Sequence, residues 1–435
     1  MPETGVVRGV RMGSGLSGHL DPFTAARQVA EQAGADLDGA PGVDLCLLFA
    51  SAHHARVLGG LGEIVAKALS PRRLVGVTTE SVIGGRVELE RQPGVSLLAA
   101  SLPGVRLHGF DEALLGPADP SNAEQVAAVG EAIGASEDLR CTLIFADAFS
   151  VPVLNTLPGL CAARRRGRDG RPIGSIFGGV VSGGRGPGQN ALLIDGVVKR
   201  SGAVGVSIAG PVRVDTVVSQ GCRPVGPNLL VTRSKRNVIF ELGGRPAVEV
   251  VREVVESLDE RGREQVQRGL FVGRVVNEYK ERFGRGDFLI RNVAGGDEAT
   301  GAIALGDAVR TGQTVRLHVR DAATADEDLA LLLDAQKLHE RPAGALLVTC
   351  NGRGSGLFGR PGHDAQAVAR AFAPERAGEE LAKGGAPIEP ARGSVPLAGM
   401  FAAGEIGPVG DESFLHGFSA CVALFRDAPA ESRMA

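Results

Sequence analysis

Short, wholly apolar runs alternate along the chain with stretches of helical period, and they do so in a recurring order. Asp21-Pro22 reads as an N-cap followed by proline at the first helical position, opening a helix to about Asp36. Val43 to Ala50 is a continuous apolar run, the pattern of a buried strand. A helix over about Ala55 to Leu69 and a strand at Leu74 to Val77 complete a βαβ pattern, for which a parallel, right-handed crossover is the default. Beyond Gly84-Gly85 the runs RVELE, VSLLAAS and VRLHGF are separated by Pro-Gly turns and read as an antiparallel meander. Residues 1–20 carry little periodicity and read as a loose lead-in.

The same order returns. A helix from about Asn122 to Ala135 precedes the strand Cys141 to Asp147. A second helix, from about Val153 to Arg166, leads through a basic loop to the strand PIGSIFG, and NALLIDG, VVKRSGAVGVSIAG and PVRVDTVVSQG form another meander. From about Val231 a new section begins, with a strand, a Gly-Gly turn and an amphipathic helix carrying Val248, Val251, Val255 and Leu258 at helical spacing. Charges dominate Arg252 to Arg285, read as a solvated face or a lid. Thr314 to Asp321 alternates as a strand does, and Thr324-Ala-Asp-Glu327 reads as a capping box for a helix with Leu329, Leu332, Leu333 and Leu338. GALLVTC, ending at Cys350, is a buried strand. A helix near Asp364 to Phe372 and a Gly/Pro-rich segment to Gly393 then lead to the last apolar stretch, Val395 to Phe425. The expected fold class is α/β, with mixed parallel and antiparallel sheets and flanking helices, built from internally repeated strand–helix–strand–meander units.

Composition narrows the function classes. A chain of 435 residues is long for one core and suggests two or three domains. The net charge of −3 supplies no basic field for nucleic acid and no polybasic patch for a membrane surface. Trp is absent and Tyr279 stands alone, so aromatic cages and base-stacking platforms are poorly supplied. The 63 glycines are spread through short loops, which argues for many tight turns. Cys46, Cys141, Cys161, Cys222, Cys350 and Cys421 are scattered without a CxxC pair, fitting reduced thiols. The chain shows no apolar signal region and no run of about 20 apolar residues, so a soluble, cytoplasmic protein is expected.

The chemistry concentrates in Gly-rich loops that follow strands. LVGVTTESVIGG, PIGSIFGGVVSGG and AGMFAAGEIGPVG share a layout, and the last alone is followed by a histidine. Gly354-x-Gly356-x-x-Gly359 has the spacing of a dinucleotide fingerprint, but Arg360-Pro361-Gly362 prolongs the loop where a helix N-terminus should hold the pyrophosphate. Arg353 could present its guanidinium fork to a carboxylate or phosphate, or pair with an acid such as Glu405. Glu405, between Gly404 and Gly407, could meet a ligand ammonium or cap backbone N–H groups. Cys350 is either a buried strand-end thiol or one facing the loop, and His416 is a ligand contact, a haem or metal ligand, or a satisfied turn histidine. His53-His54 are adjacent and so make a poor bidentate pair. Neither Cys350 nor Glu405 has a visible acid–base partner, so a binding protein is favoured over an enzyme using them.

Taken together, the segments LVGVTTESVIGG, VVKRSGAVGVSIAG with VSQGCRPVGP, VIFELGGRPAVEVV, LHVRDAATADEDLALLL, GALLVTCNGRGSGLFG and AGMFAAGEIGPVGDESFLHGFSACVAL resemble the FIST family of sensory domains. The resemblance implies a lead-in and helix over 1–40, a FIST N-terminal domain over 41–236 and a FIST C-terminal domain over 237–425. Where the family commonly shows a Gly-Cys-Ser/Thr turn, this chain has Gly76-Val77-Thr78-Thr79-Glu80-Ser81. The resemblance implies a sensor of small molecules such as amino acids that acts in signal transduction through a separate partner protein, since no kinase, cyclase or receiver segment fits in the chain. By motif it points to Cys350, Asn351, Arg353, Glu405 and His416, with Arg353 meeting a carboxylate and Glu405 an ammonium. No cofactor is predicted from the motifs. Because some family members bind haem and sense nitric oxide, haem with His416 or His108 as axial ligand is the alternative.

Overall fold

In the computed structural model, residues 9–111, 118–284, 286–373 and 394–429 are described. Contacts divide the chain into two compact units, Met1–Val218 with Ala330–Leu415 and Ala420–Ala435, and Ser219–Leu329 with His416–Ser419. The first unit is built from three repeats of one chain path. Repeat one runs β1 (Arg11–Ser17), α1 (Pro22–Asp36), β2 (Leu45–Ser51), α2 (Leu58–Leu69), β3 (Arg73–Thr79), the hairpin β4 (Val82–Gly84) and β5 (Val87–Leu89), and β6 (Val95–Ser101). Repeat two runs β7 (Arg106–Asp111), α3 (Ala123–Ala132), β8 (Leu139–Asp147), α4 (Val153–Ala163), β9 (Ser175–Val181), the hairpin β10 (Leu192–Ile194) and β11 (Val197–Lys199), and β12 (Ala203–Ala209).

Repeat three opens with β13 (Val212–Gln220), after which the second unit is inserted in the chain. That unit comprises β14 (Cys222–Lys235), β15 (Val238–Leu242), β16 (Arg245–Pro246), α5 (Ala247–Glu256), α6 (Glu260–Gln267), β17 (Leu270–Val275), β18 (Phe288–Asp297), β19 (Ala302–Leu305) and β20 (Thr314–Arg320). The repeat resumes with α7 (Ala322–Gln336), β21 (Gly344–Cys350), the single turn α8 (Ser355–Phe358), α9 (His363–Ala371), β22 (Leu397–Ala402), the hairpin β23 (Gly404–Val409) and β24 (Glu412–His416), and β25 (Ser419–Asp427).

Each repeat makes one parallel pair, β2–β3, β8–β9 and β21–β22. The hairpin that follows does not stay with its own repeat. β4–β5 adds to β22, β10–β11 adds to β3, and β23–β24 adds to β9, so three six-stranded sheets each borrow a hairpin from another repeat in a closed cycle. The expected meanders are therefore split between sheets, since the short apolar runs specify strands but not which edge receives them.

A glycine stands at the same register position in each second strand. Gly76 lies opposite Leu48 and Leu193, Gly178 opposite Ile144 and Ile406, and Gly399 opposite Leu347 and Ile83. A Cβ at Gly178 or Gly399 would fall 1.8 Å from the carbonyl oxygen of Ile144 or Leu347, and at Gly76 3.3 Å from that of Leu48. Residues flanking these positions face inward. Leu47 and Phe49, Leu143 and Phe145, and Leu346 and Val348 join one core shared by the three sheets, with the Phe49 and Phe145 rings edge-on at 5.7 Å. On the outer faces, Cys46, Leu48 and Ala50 pack under α1 and α2, and Ile144 and Ala146 under α3 and α4.

In the second unit, β14 pairs with both β20 and β15, closing the ring β14–β20–β17–β18–β19–β15 into a small antiparallel barrel. The expected boundary at 236/237 falls on the turn of its β14–β15 hairpin, where Arg236 takes φ 55°. Expectations about single elements shift. The lead-in contains β1, paired along its length with β6. The charged stretch 252–285 holds α6 and the barrel strand β17 rather than a lid alone. α5 buries Ala247, Val250 and Val254, one position away from the expected stripe. α7 starts two residues before Thr324, with the Asp321 carboxylate accepting from the Thr324 N–H at 3.1 Å. The Gly/Pro-rich segment lies outside the described residues over 374–393.

The glycine positions generate a graded prediction. Gly178→Ala and Gly399→Ala should each exceed the roughly 1–3 kcal/mol of ordinary overpacking, because the colliding atom is backbone. Gly76→Ala should cost on the order of 1 kcal/mol. Urea unfolding checks the order, and equal midpoints for the three variants would contradict it.

Candidate functional site

Parallel strands end where their loops meet, and the three repeats place polar groups there. The first-strand ends carry Ser51, Asp147 and Cys350 at one equivalent position, all buried. Two of these pin loop backbone or loop side chains. Ser51 Oγ accepts from Gly94 N at 3.1 Å, and Asp147 accepts from Asn190 Nδ2 and Ser150 Oγ, each at 2.6 Å. At the end of β3 and just past the end of β9, Thr79 Oγ1 and Ser182 Oγ lie 3.1 Å apart and both donate to the carbonyl of Phe401, Ser182 at 2.7 Å. One hydrogen-bonded knot thus draws on all three repeats.

Cys350, Asn351 and Arg353 share the turn after β21. Gly352 N contacts Cys350 Sγ at 3.5 Å, and Arg353 N donates to the Cys350 carbonyl at 2.8 Å. The Arg353 side chain is fully buried. Its fork is closed on Asp364 of α9, with Nε on Oδ2 and Nη2 on Oδ1, both at 2.7 Å. Thr349 Oγ1 at 2.6 Å and His363 Nδ1 at 2.9 Å complete the shell of that carboxylate. The Phe358 ring lies 5.2 Å from the guanidinium carbon and stacks on His363 at 3.4 Å. Burial opposes charge on Asp364, but Arg353, His363 and Thr349 outweigh it and hold the carboxyl well below its usual range. Arg353 is therefore not poised to fork onto a ligand carboxylate, and the acid it meets is Asp364 rather than Glu405.

Two atoms of this turn stand out. Arg353 Nη1, a donor, and Asn351 Oδ1, an acceptor, are buried with no hydrogen-bond partner among the described residues. Such orphans are uncommon in a native interior and mark a place for water or ligand.

The cluster reaches into repeat one through the borrowed hairpin. Glu88 of β5, buried, accepts from Gly362 N at 2.9 Å and Ala365 N at 3.0 Å, capping the start of α9. Burial first, and then the charge of Asp364, push its pKa up to about 7. Glu90 accepts from Ser355 N at 2.9 Å and from its hydroxyl. Sequence reading missed Asp364, His363, Glu88 and Glu90. In RVELE the face that is buried is that of Glu88, while Val87 and Leu89 are only half-buried, so alternation suggested the opposite side.

Glu405 and His416 lie elsewhere in the topology. Glu405 is fully buried on β23 opposite Gly179, at the register position filled in the other hairpins by the core residues Val82 and Leu192. Paired strand residues share a face, and a Cβ at Gly179 would meet Val348 and Ala402, so this carboxylate faces the shared core. His416 ends β24, is buried, and is grouped with the barrel unit. His108 does not fit an axial-ligand role, because its Nε2 donates to the Ala132 carbonyl at 2.9 Å and its ring lies against Gly134. Among the described residues no group of three or more His, Cys, Asp or Glu could hold a metal ion. All six cysteines are buried thiols outside any disulfide, with the Cys46 and Cys141 thiols pushed up to about 12 by burial. No described helix is long and apolar enough to cross a membrane.

Comparison with known proteins gives two family matches, the FIST N domain over residues 44–245 and the FIST C domain over 247–408. An uncharacterized protein of Mycobacterium tuberculosis H37Rv is 38% identical over 427 residues, covering 96% of this chain and all of the relative. An uncharacterized protein of Mycobacterium bovis is 38% identical over 421 residues, covering 96% and 99%. Among solved structures, a cyanuric acid hydrolase aligns over 97% of this chain and 100% of its own at 10% identity, with a TM-score of 0.31. The enzyme of A. caulinodans gives 0.29 at 11% identity, over 96% of this chain and 99% of its own. Scores that low decide nothing about activity, and the threefold repeat rests on the strand registers of this chain.

The buried charges make two predictions. Arg353→Ala leaves Asp364 without its cation and should cost about 3–5 kcal/mol in urea unfolding, whereas Arg353→Lys should cost less. The folded-state pKa of Glu88 lies above its ordinary 4.5, so its contribution to stability is full below pH 4.5 and is lost as pH rises through about 7. The melting temperature of wild type relative to Glu88→Gln should therefore fall across that window. Parallel pH profiles for the two proteins would contradict the assignment.

Proposed function

The chain belongs to the FIST family, and from that premise we propose that it is a cytoplasmic sensor that binds an amino acid in the turn after β21 and signals through a partner protein. FIST domains are sensory domains for small ligands. The observation that carries the reading is the pair of orphaned buried atoms in one turn, Asn351 Oδ1 and Arg353 Nη1. An amino acid offers the complement of both: its ammonium donates to Asn351 Oδ1, and its carboxylate accepts from Arg353 Nη1. In this arrangement Asn351 takes the ammonium role that the family resemblance implies for Glu405. Arg353 acts through its outer nitrogen while Asp364 holds the other two. The fixed fork positions Nη1 before the ligand arrives, which lowers the ordering cost of binding. Six buried thiols outside any disulfide favour a reducing compartment.

Isothermal titration and a thermal-shift screen over the amino acids test the proposal. Asn351→Ala removes an acceptor of a charged donor, worth about 1.5–3 kcal/mol, and should weaken binding roughly 10- to 150-fold. Arg353→Lys, which keeps a cation for Asp364 but lacks the fork, should also lose the response. If both variants respond to the same amino acids as wild type, or if wild type responds to none, the proposal fails.

A further inference from the structure

The barrel unit contains a cavity of about 90 Å³ whose walls include Cys222, Pro224, Phe288, Arg316, His318 and Asp328. It lies on the outer face of β20. Val315, Leu317 and Val319 fill the barrel interior, so Arg316 and His318, which alternate with them, point outward under α7.

His318 is the informative wall. It is 2% exposed, and burial pulls its pKa down to about 4 against its hydrogen bond to the Arg316 carbonyl, so the ring is neutral near pH 7. Its Nδ1 sits 2.9 Å from that carbonyl oxygen, which can only accept. The neutral ring therefore carries its proton on Nδ1, and Nε2 holds a lone pair. Nδ1 and Cε1 also face Gly273, where an added Cβ would come within 2.7 and 2.4 Å of them, so Nε2 is the ring nitrogen left to serve the cavity that His318 lines.

The remaining walls sort the chemistry. Phe288, edge-on to the His318 ring at 5.1 Å, and Phe283, 5.9 Å from Phe288, supply apolar surface. The Gln220 side-chain amide donates to the Phe288 carbonyl at 2.5 Å, and Asp328 Oδ2 accepts from Ser219 Oγ at 2.8 Å and Gln220 N at 2.9 Å. Arg316 donates through Nε to the Gly226 carbonyl at 2.9 Å, and the rest of its guanidinium remains a source of donors. A ligand must thus give a proton to Nε2, accept from a guanidinium, and avoid a negative charge beside Asp328. The volume is smaller than the cavity of about 150 Å³ that holds benzene, so only a few heavy atoms fit.

We propose that this cavity is a binding site for a small, neutral primary carboxamide, whose N–H donates to His318 Nε2, whose carbonyl accepts from Arg316 and whose alkyl end packs on Phe288 and Pro224. The site is independent of the turn after β21 and can stand or fall apart from it.

Nitrogen-15 NMR of the histidine side chains in the full-length protein, with acetamide as the probe, tests this. Acetamide should move the His318 Nε2 resonance saturably. Acetate should not, because of Asp328, and benzamide should not, because of its size. Cys222→Leu should fill the cavity and abolish the shift while leaving the His318 resonance and its Nδ1–H tautomer in place. The proposal is overturned if acetamide gives no saturable shift, if acetate binds as well, or if Cys222→Leu responds like wild type.

Discussion

Each second strand in the repeat unit is held between two neighbours at a point where there is no space for a side chain. Gly178 and Gly399 sit against the carbonyl oxygens of the parallel first strands, while the other side of the same residues receives a hairpin from another repeat. Because the hairpins are exchanged in a closed cycle, no sheet is complete without the next repeat. The inner faces of all three sheets bury one common cluster of Leu, Val, Phe and Met. Cooperative folding of the three repeats follows from that arrangement, since removing any hairpin exposes both a sheet edge and part of the shared core.

Repetition of the backbone has not kept the chemistry equal. One strand-end position is Ser51, Asp147 or Cys350, and one hairpin position is Val82, Leu192 or Glu405. Two of the three strand-end residues pin neighbouring loops, which is a structural use. The third repeat differs, because its turn adds a buried ion pair and two buried polar atoms with no hydrogen-bond partner among the described residues. A scaffold with three similar strand-end loops can devote one to binding while the others maintain the fold.

At that turn, stability and the proposed recognition rest on the same residues. Asp364 fixes the guanidinium of Arg353, Glu88 from the borrowed hairpin caps the helix that carries Asp364, and the charge of Asp364 in turn raises the Glu88 pKa. A change in protonation of Glu88 therefore acts on the element that orients Arg353. Coupling of this kind requires no long pathway, only a few buried charges in a low-dielectric setting.

The sequence by itself determined the element types, their repeating order and the family. Continuous apolar runs such as Val43 to Ala50 and Gly344 to Cys350 form buried strands, and Asp21-Pro22 opens α1 with the Asp21 carboxylate accepting from Thr24 N at 2.7 Å. It also directed attention to the turn holding Cys350, Asn351 and Arg353. Tertiary structure alone decided what Arg353 meets, because Asp364 is contributed by a helix whose approach no local pattern encodes. It likewise decided that Glu88 is buried while Val87 is half-buried, that Glu405 faces the shared core, and that each hairpin leaves its own repeat. Periodicity reports which side chains lie on one face of an element. Which neighbour covers that face is set by long-range pairing, and that pairing decides whether a charged side chain is solvated, capped or held in an ion pair.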